Sequence, residues 1–127
     1  MKNCNFCLGN SRLKGEIIAE NDLCYAVESI DPILRHAGMI ITERHIETPF
    51  EINCNEWIAL KALMVEVKTI LDKHNPDGYN IGWNIGEIAG QNVGHAHLHV
   101  IARFRDEPLA YKGIRYAFKQ KENKRRA

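Results

Sequence analysis

No apolar run in the chain approaches the ~20 residues that a membrane-spanning helix needs, so no membrane association is expected. Net charge is nearly absent. Seventeen Lys and Arg stand against sixteen Asp and Glu, and the resulting +1 offers no general attraction to nucleic acid. The opening residues Met1-Lys2-Asn3-Cys4 turn polar at once and lack the apolar centre of a secretory signal, so a cytoplasmic address is expected. Internal repeats and low-complexity segments are missing too. Cysteine is scarce, with four residues unevenly spaced, and in a reducing compartment they are poor disulfide candidates. What remains is the balance of an ordinary globular chain: 127 residues, 45% apolar and 26% charged, enough for one core and one domain spanning 1–127.

The runs 15–19 and 23–28 are short and β-favouring, and Glu20-Asn21-Asp22 between them has the composition of a turn, which predicts a hairpin. After Asp31-Pro32, the apolar run 38–42 predicts a third strand. Asn53 followed by Glu56 at the spacing of a capping box predicts a helix start. Trp57, Leu60, Met64, Val67 and Leu71 then recur at intervals of three and four, predicting one apolar helical face over 56–73. Asn75-Pro76-Asp77-Gly78 ends it, and two more strands are expected at 79–85 and 95–102. The order of elements implies an α+β fold built on a five-stranded, mostly antiparallel sheet with one long helix, followed by a C-terminal tail at 104–127.

The densest chemistry lies in Gly94-His95-Ala96-His97-Leu98-His99-Val100-Ile101. Side chains alternate faces along a strand, so His95, His97 and His99 share one face while Ala96, Leu98 and Val100 share the other. Three adjacent imidazoles would each need a polar partner if they only filled a core. Two chemistries suit such a cluster: three neutral imidazoles holding one catalytic metal, or one imidazole acting as nucleophile while its neighbours bind phosphate and assist the leaving group. No histidine follows His99, and Arg103 comes soon after, which favours the nucleophile.

This segment resembles the signature of the histidine triad family, His-x-His-x-His followed by two apolar residues. The likeness extends through Asn84, Arg44-His45 and Asp31 back to the N-terminal Cys-x-x-Cys. The resemblance implies that His97 is the covalent nucleophile, that His99 binds phosphate or the leaving group, and that His95 orients the site, binds metal, or both. It implies that Asp31 meets the ribose and that Asn84, Gln91 and Asn92 line the phosphate and leaving-group pocket. The implied substrate is a purine nucleoside 5′-phosphate derivative cleaved at its α-phosphorus, such as a diadenosine polyphosphate or an adenosine phosphoramidate. A homodimer and a short C-terminal helix are implied as well, the dimer covering the apolar helix face and a sheet edge; a monomer by light scattering would refute it.

Cys4 and Cys7 precede every expected strand, which is unlike a redox pair set after a first strand. A closed zinc site needs two further ligands. The family resemblance implies His45 and His95, giving a structural zinc site of Cys4, Cys7, His45 and His95 in which residues 1–10 form the metal-binding N-terminal segment. Cys24, within Leu23-Cys24-Tyr25-Ala26-Val27, reads as a small buried hydrophobe, and Cys54 receives an equally bland role. His36 receives no role, and His74 reads as a helix-end imidazole favoured by the dipole. Arg103 and Tyr111–Tyr116 either meet the distal end of a substrate or lie on the surface. The basic residues Lys119, Lys121, Lys124, Arg125 and Arg126 read as a solvated end. Two rivals stand beside nucleotidyl-histidine chemistry: a noncatalytic nucleotide- or RNA-binding module, and hydrolysis by zinc-bound water.

Overall fold

The computed structural model describes residues 4–8 and 16–126. Gly15 and the remainder of the N-terminal segment 1–10 lie outside the described residues. Five strands, β1 (Ile17–Glu20), β2 (Cys24–Glu28), β3 (Ala37–Thr42), β4 (Gly78–Trp83) and β5 (His97–Arg103), form one sheet in the order β1-β2-β3-β5-β4, every neighbouring pair antiparallel. Among the described residues the single α-helix, α1 (Cys54–Leu71), connects β3 to β4, and β5 returns between them. His97 and His99 therefore stand on a central strand, hydrogen-bonded on both sides.

Local chemistry explains the element ends. The Asn53 side chain accepts from the Glu56 N–H at 2.8 Å while the Glu56 carboxylate accepts from the Asn53 N–H at 3.1 Å, a complete capping box. At the far end Asn75 adopts the left-handed conformation (φ 55°) and Pro76 denies the helix another N–H donor. Val, Ile and Thr populate β3 and β5, where branched side chains pack well on a pleated surface.

One face of the sheet packs on α1. Leu98, Val100 and Ala102 of β5 bury there against Leu60, Leu63, Val67 and Leu71, with Cys24, Ala26 and Ile40 from β2 and β3. Gly38 makes this approach possible, because a Cβ there would meet the Val27 carbonyl oxygen and the Val67 side chain, both at 3.3 Å. The opposite face carries Tyr25, Val27 and Ile41, covered by Cys4, Phe6 and Cys7 of the N-terminal segment.

Four expectations need correction. His95 precedes β5 instead of standing within it, because its backbone is drawn aside where Ala96 N–H donates to the Ile46 carbonyl at 2.8 Å. Trp57 remains 44% exposed and packs edge-on to Trp83 at 6.2 Å, while Leu63, absent from the expected apolar face, is buried. That face of α1 is covered by the chain's own sheet and is not left over for a second copy. The short C-terminal helix takes the form of two 3-10 turns, Tyr116–Lys119 and Lys121–Asn123. Among the described residues, no helix is long and apolar enough to cross a membrane.

Candidate active site and metal centre

Alternation along β5 puts His97 and His99 on the face opposite α1, with ring centroids 4.9 Å apart. The Nδ1 of His97 lies 2.8 Å from the backbone carbonyl oxygen of His95. A carbonyl only accepts, so Nδ1 carries the proton and Nε2 of the neutral ring bears the lone pair. The edge of Phe6 packs on the His97 ring at 5.0 Å. Burial holds both imidazoles below the usual histidine range; for His97 the bond to the His95 carbonyl partly opposes this, and for His99 the neighbouring His97 adds to it. Two largely neutral rings thus stand side by side, one with a defined open nitrogen, the kind of group that can act as a nucleophile.

His95 is fully buried and faces a different set of atoms. Its Nε2 donates to the Thr42 carbonyl at 2.7 Å, leaving Nδ1 as an acceptor aimed at sulfur. That nitrogen lies 3.3 Å from Cys4 Sγ and 3.6 Å from Cys7 Sγ, and His45 Nδ1 is 3.2 Å from Cys7 Sγ. The four candidate ligand atoms lie within 4.8 Å of one another, close enough to hold a metal ion. A tetrahedral ion with ordinary Zn–S and Zn–N bonds sets such atoms about 3.4–3.8 Å apart, so the spacing fits. Burial pushes the Cys4 thiol above its ordinary range, a cost that a bound cation would offset by favouring thiolate.

The loop bearing His45 is held from α1. Glu56, with its side chain only 3% exposed, accepts from Arg44 at 2.7 and 3.1 Å, and Arg44 also donates to the Glu51 carbonyl at 2.8 Å. Thr42 Oγ1 donates to the Arg44 carbonyl at 2.9 Å. The helix cap, the Arg44 turn and the candidate metal ligand His45 are thus connected through one stretch of polar contacts. Glu56 carries no chemistry signature of its own; only its capping-box spacing pointed toward this region.

The polar residues implied to line the pocket have different surroundings. Gln91 braces its loop and ties it to the β3–α1 connection: Oε1 accepts from Gly86 N–H at 2.8 Å, and Nε2 donates to the Val93 carbonyl at 3.2 Å and to the Glu47 carbonyl at 2.7 Å. Asn84 is exposed and lies beside Gly90, whose φ of +97° favours glycine. Asn92 is exposed in the same loop. Asp31 closes a turn, its Oδ1 accepting from Ile33 and Leu34 N–H at 2.8 and 2.9 Å, which lowers its pKa.

The two remaining histidines stand together away from the triad. His36 stacks on His74 at 3.9 Å and meets the Phe104 edge at 5.5 Å, so His74 has a specific partner beyond the helix dipole. Arg103 is an anchor whose guanidinium donates to Glu107, Asn80 and the Lys112 and Leu109 carbonyls. Burial pushes the Cys24 thiol up to about 11, the behaviour of an inert packing residue. Cys54 lies exposed at the start of α1.

An antiparallel α+β sheet, a crossover helix and alternating histidines on a central strand define the class of fold to which the chain belongs. The HIT domain family model matches residues 10–106, and the chain belongs to that family. An adenosine 5′-monophosphoramidase of Schizosaccharomyces pombe is 30% identical, the match covering 82% of this chain and 77% of that protein. A bis(5′-adenosyl)-triphosphatase of Dictyostelium discoideum is 25% identical over 71% of this chain and 61% of that protein. Among solved structures, a HIT family member from Bacillus subtilis aligns with a TM-score of 0.73 at 26% identity, covering 83% of this chain and 76% of that one.

Proposed function

We propose that the protein cleaves adenosine 5′-phosphate derivatives at the α-phosphorus through an adenylyl-His97 intermediate. The observation that carries this reading is the bond from His97 Nδ1 to the His95 carbonyl, which leaves Nε2 as the nucleophilic nitrogen. Its lone pair attacks the α-phosphorus, and the bond from phosphorus to the bridging oxygen or nitrogen breaks. The departing electron pair leaves with that atom, which takes a proton from His99. Negative phosphate beside His99 favours the charged imidazole needed for this step, and burial strengthens the attraction. Water then attacks the phosphorus, gives a proton back to His99, and the phosphorus–nitrogen bond breaks to restore His97 and release AMP.

Asp31, Asn84 and Asn92 contact the substrate in this reading, and Gln91 contributes by holding the loop. Cys4, Cys7, His45 and His95 hold zinc, whose charge when bound stabilises two thiolates and fixes the His95 backbone that orients the nucleophile. The chain acts as a homodimer in the cytoplasm. Support for pairing comes from β4, which is a sheet edge with Ile81 42% exposed on the α1 side, two residues before Trp83, whose ring meets exposed Trp57.

Rapid quenching with a diadenosine polyphosphate or an adenosine phosphoramidate, followed by intact-mass measurement, is expected to reveal one added AMP on the wild-type chain and none on His97→Ala. AMP binding with neither adduct nor turnover would instead make this a noncatalytic nucleotide-binding module. Turnover lost on metal removal and never accompanied by an adduct would assign the chemistry to metal-bound water.

A further inference from the structure

The C-terminal segment returns to the triad face of the sheet. Gly82 of β4 pairs with His99 of β5, and cross-strand partners in an antiparallel pair point to the same face about 4.5–5.5 Å apart. The Ile114 Cδ1 atom lies 3.6 Å from where a Gly82 Cβ would stand, so Ile114 lies alongside His99. Behind Ile114 opens a cavity of about 610 Å³, whose wall includes Asn80, Lys112, Arg115, Tyr116 and Lys119 and no acidic residue. Among the described residues none of these three cations forms an ion pair, and the Lys112 ammonium stands 5.2 Å over the Tyr116 ring.

The segment is firmly held. Arg103 donates to the Lys112 carbonyl at 2.7 Å and the Leu109 carbonyl at 2.8 Å, while its Nε bonds Glu107 at 3.0 Å. Tyr111 adopts φ +70°, a left-handed conformation that a bulky residue keeps only where its surroundings enforce it. Lys112, Arg115 and Lys119 thus line one cavity that has no acidic residue in its wall, which makes it electropositive and suited to an anion.

We infer that this cavity receives the leaving group, and that the leaving group it fits is a polyphosphate chain. The inference rests on the proposed chemistry at His97 and deepens it by assigning the substrate class. With the α-phosphorus at His97 and the scissile atom beside His99, the distal phosphates run past Ile114 to Lys112, Arg115 and Lys119. Tyr111 and Tyr116 offer ring faces to whatever group ends the chain. A phosphoramidate carrying an amine leaves these cations without a counter-charge.

The test compares wild type with Lys112→Ala/Arg115→Ala/Lys119→Ala and with Lys124→Ala/Arg125→Ala/Arg126→Ala, which removes the same charge outside the cavity. The ratio of kcat/KM for diadenosine tetraphosphate to that for adenosine phosphoramidate is expected to fall about tenfold or more in the first variant and to stay within about twofold in the second. Inorganic tripolyphosphate, titrated calorimetrically, is expected to bind wild type and to weaken in parallel, a readout independent of turnover. Equal loss on both substrates, an unchanged ratio, or tripolyphosphate binding that depends equally on the tail cations would overturn the assignment. Failure of the His97 adduct with tripolyphosphate binding intact would instead refute the proposed chemistry.

Discussion

Glu56 serves two structures at once: it caps α1 through the Asn53 N–H and grips Arg44 beside the loop that carries His45. The Arg44 hydrogen bond holds its carboxyl below the ordinary glutamate value of 4.5, against the opposing effect of burial. A depressed carboxylate contributes stability that is present above the unfolded value and is lost as pH falls through the folded one. Glu56→Gln is therefore expected to cost roughly 1–3 kcal/mol at pH 7, and the gap to wild type should narrow when urea unfolding is repeated near pH 3.5. A gap that stays constant with pH would remove the ionic part of this role. Nothing about Glu56 beyond its spacing from Asn53 was legible in the chain, because its partner Arg44 lies across a loop. The histidines were plainer: His97 and His99 lie where strand alternation puts them, while His95 left the strand because Ile46 competes for its neighbour's N–H.

At the scale of the element, α1 lies across β1, β2, β3 and β5. Leu63 is 1% exposed within that interface, whereas Trp57 sits at its rim. Leu63→Ala is expected to destabilise by about 2–5 kcal/mol, and Trp57→Ala by distinctly less, in paired chemical unfolding experiments. The reverse ranking would contradict the observed face. A three-four pattern locates an apolar stripe but not its centre. Which flank turns inward depends on where the sheet lies, and the Gly38 contact with Val67 sets that position. The ends of α1, by contrast, followed from Asn53, Glu56 and Pro76, since caps and breakers act over a few neighbouring residues.

For the whole molecule the candidate metal centre matters most, since it brings residues 4 and 7 together with residues 45 and 95. The full chain, purified without chelator, is expected to contain one zinc ion per chain by elemental analysis. Stripping the ion should lower Tm by at least about 5 °C, because binding to the folded form adds to its stability. Cys7→Ser should lose both the ion and the chelator sensitivity. A metal-free protein with unchanged Tm would leave the four residues as a buried hydrogen-bonded cluster. Such a clip closes a long loop of chain, which is where a cross-link constrains the unfolded ensemble most.

By itself the sequence determined what acts over short distances: the alternation that sends His97 and His99 to one face, the capping box, the proline stop and the β-favouring runs of a five-stranded sheet. Its family signature also pointed to the four candidate metal ligands that the fold brings together, through resemblance and not through spacing. Only the tertiary structure decided which atoms meet. It turned His95 away from the strand and gave its Nδ1 to the sulfurs, tied Gln91 to Gly86 and to distant Glu47, and brought Ile114 to Gly82 beside His99. The physical reason is that local preferences depend on neighbouring dihedrals and side-chain periodicity. Contacts between distant residues are chosen by the packing of the whole chain, where each buried polar atom must find its partner.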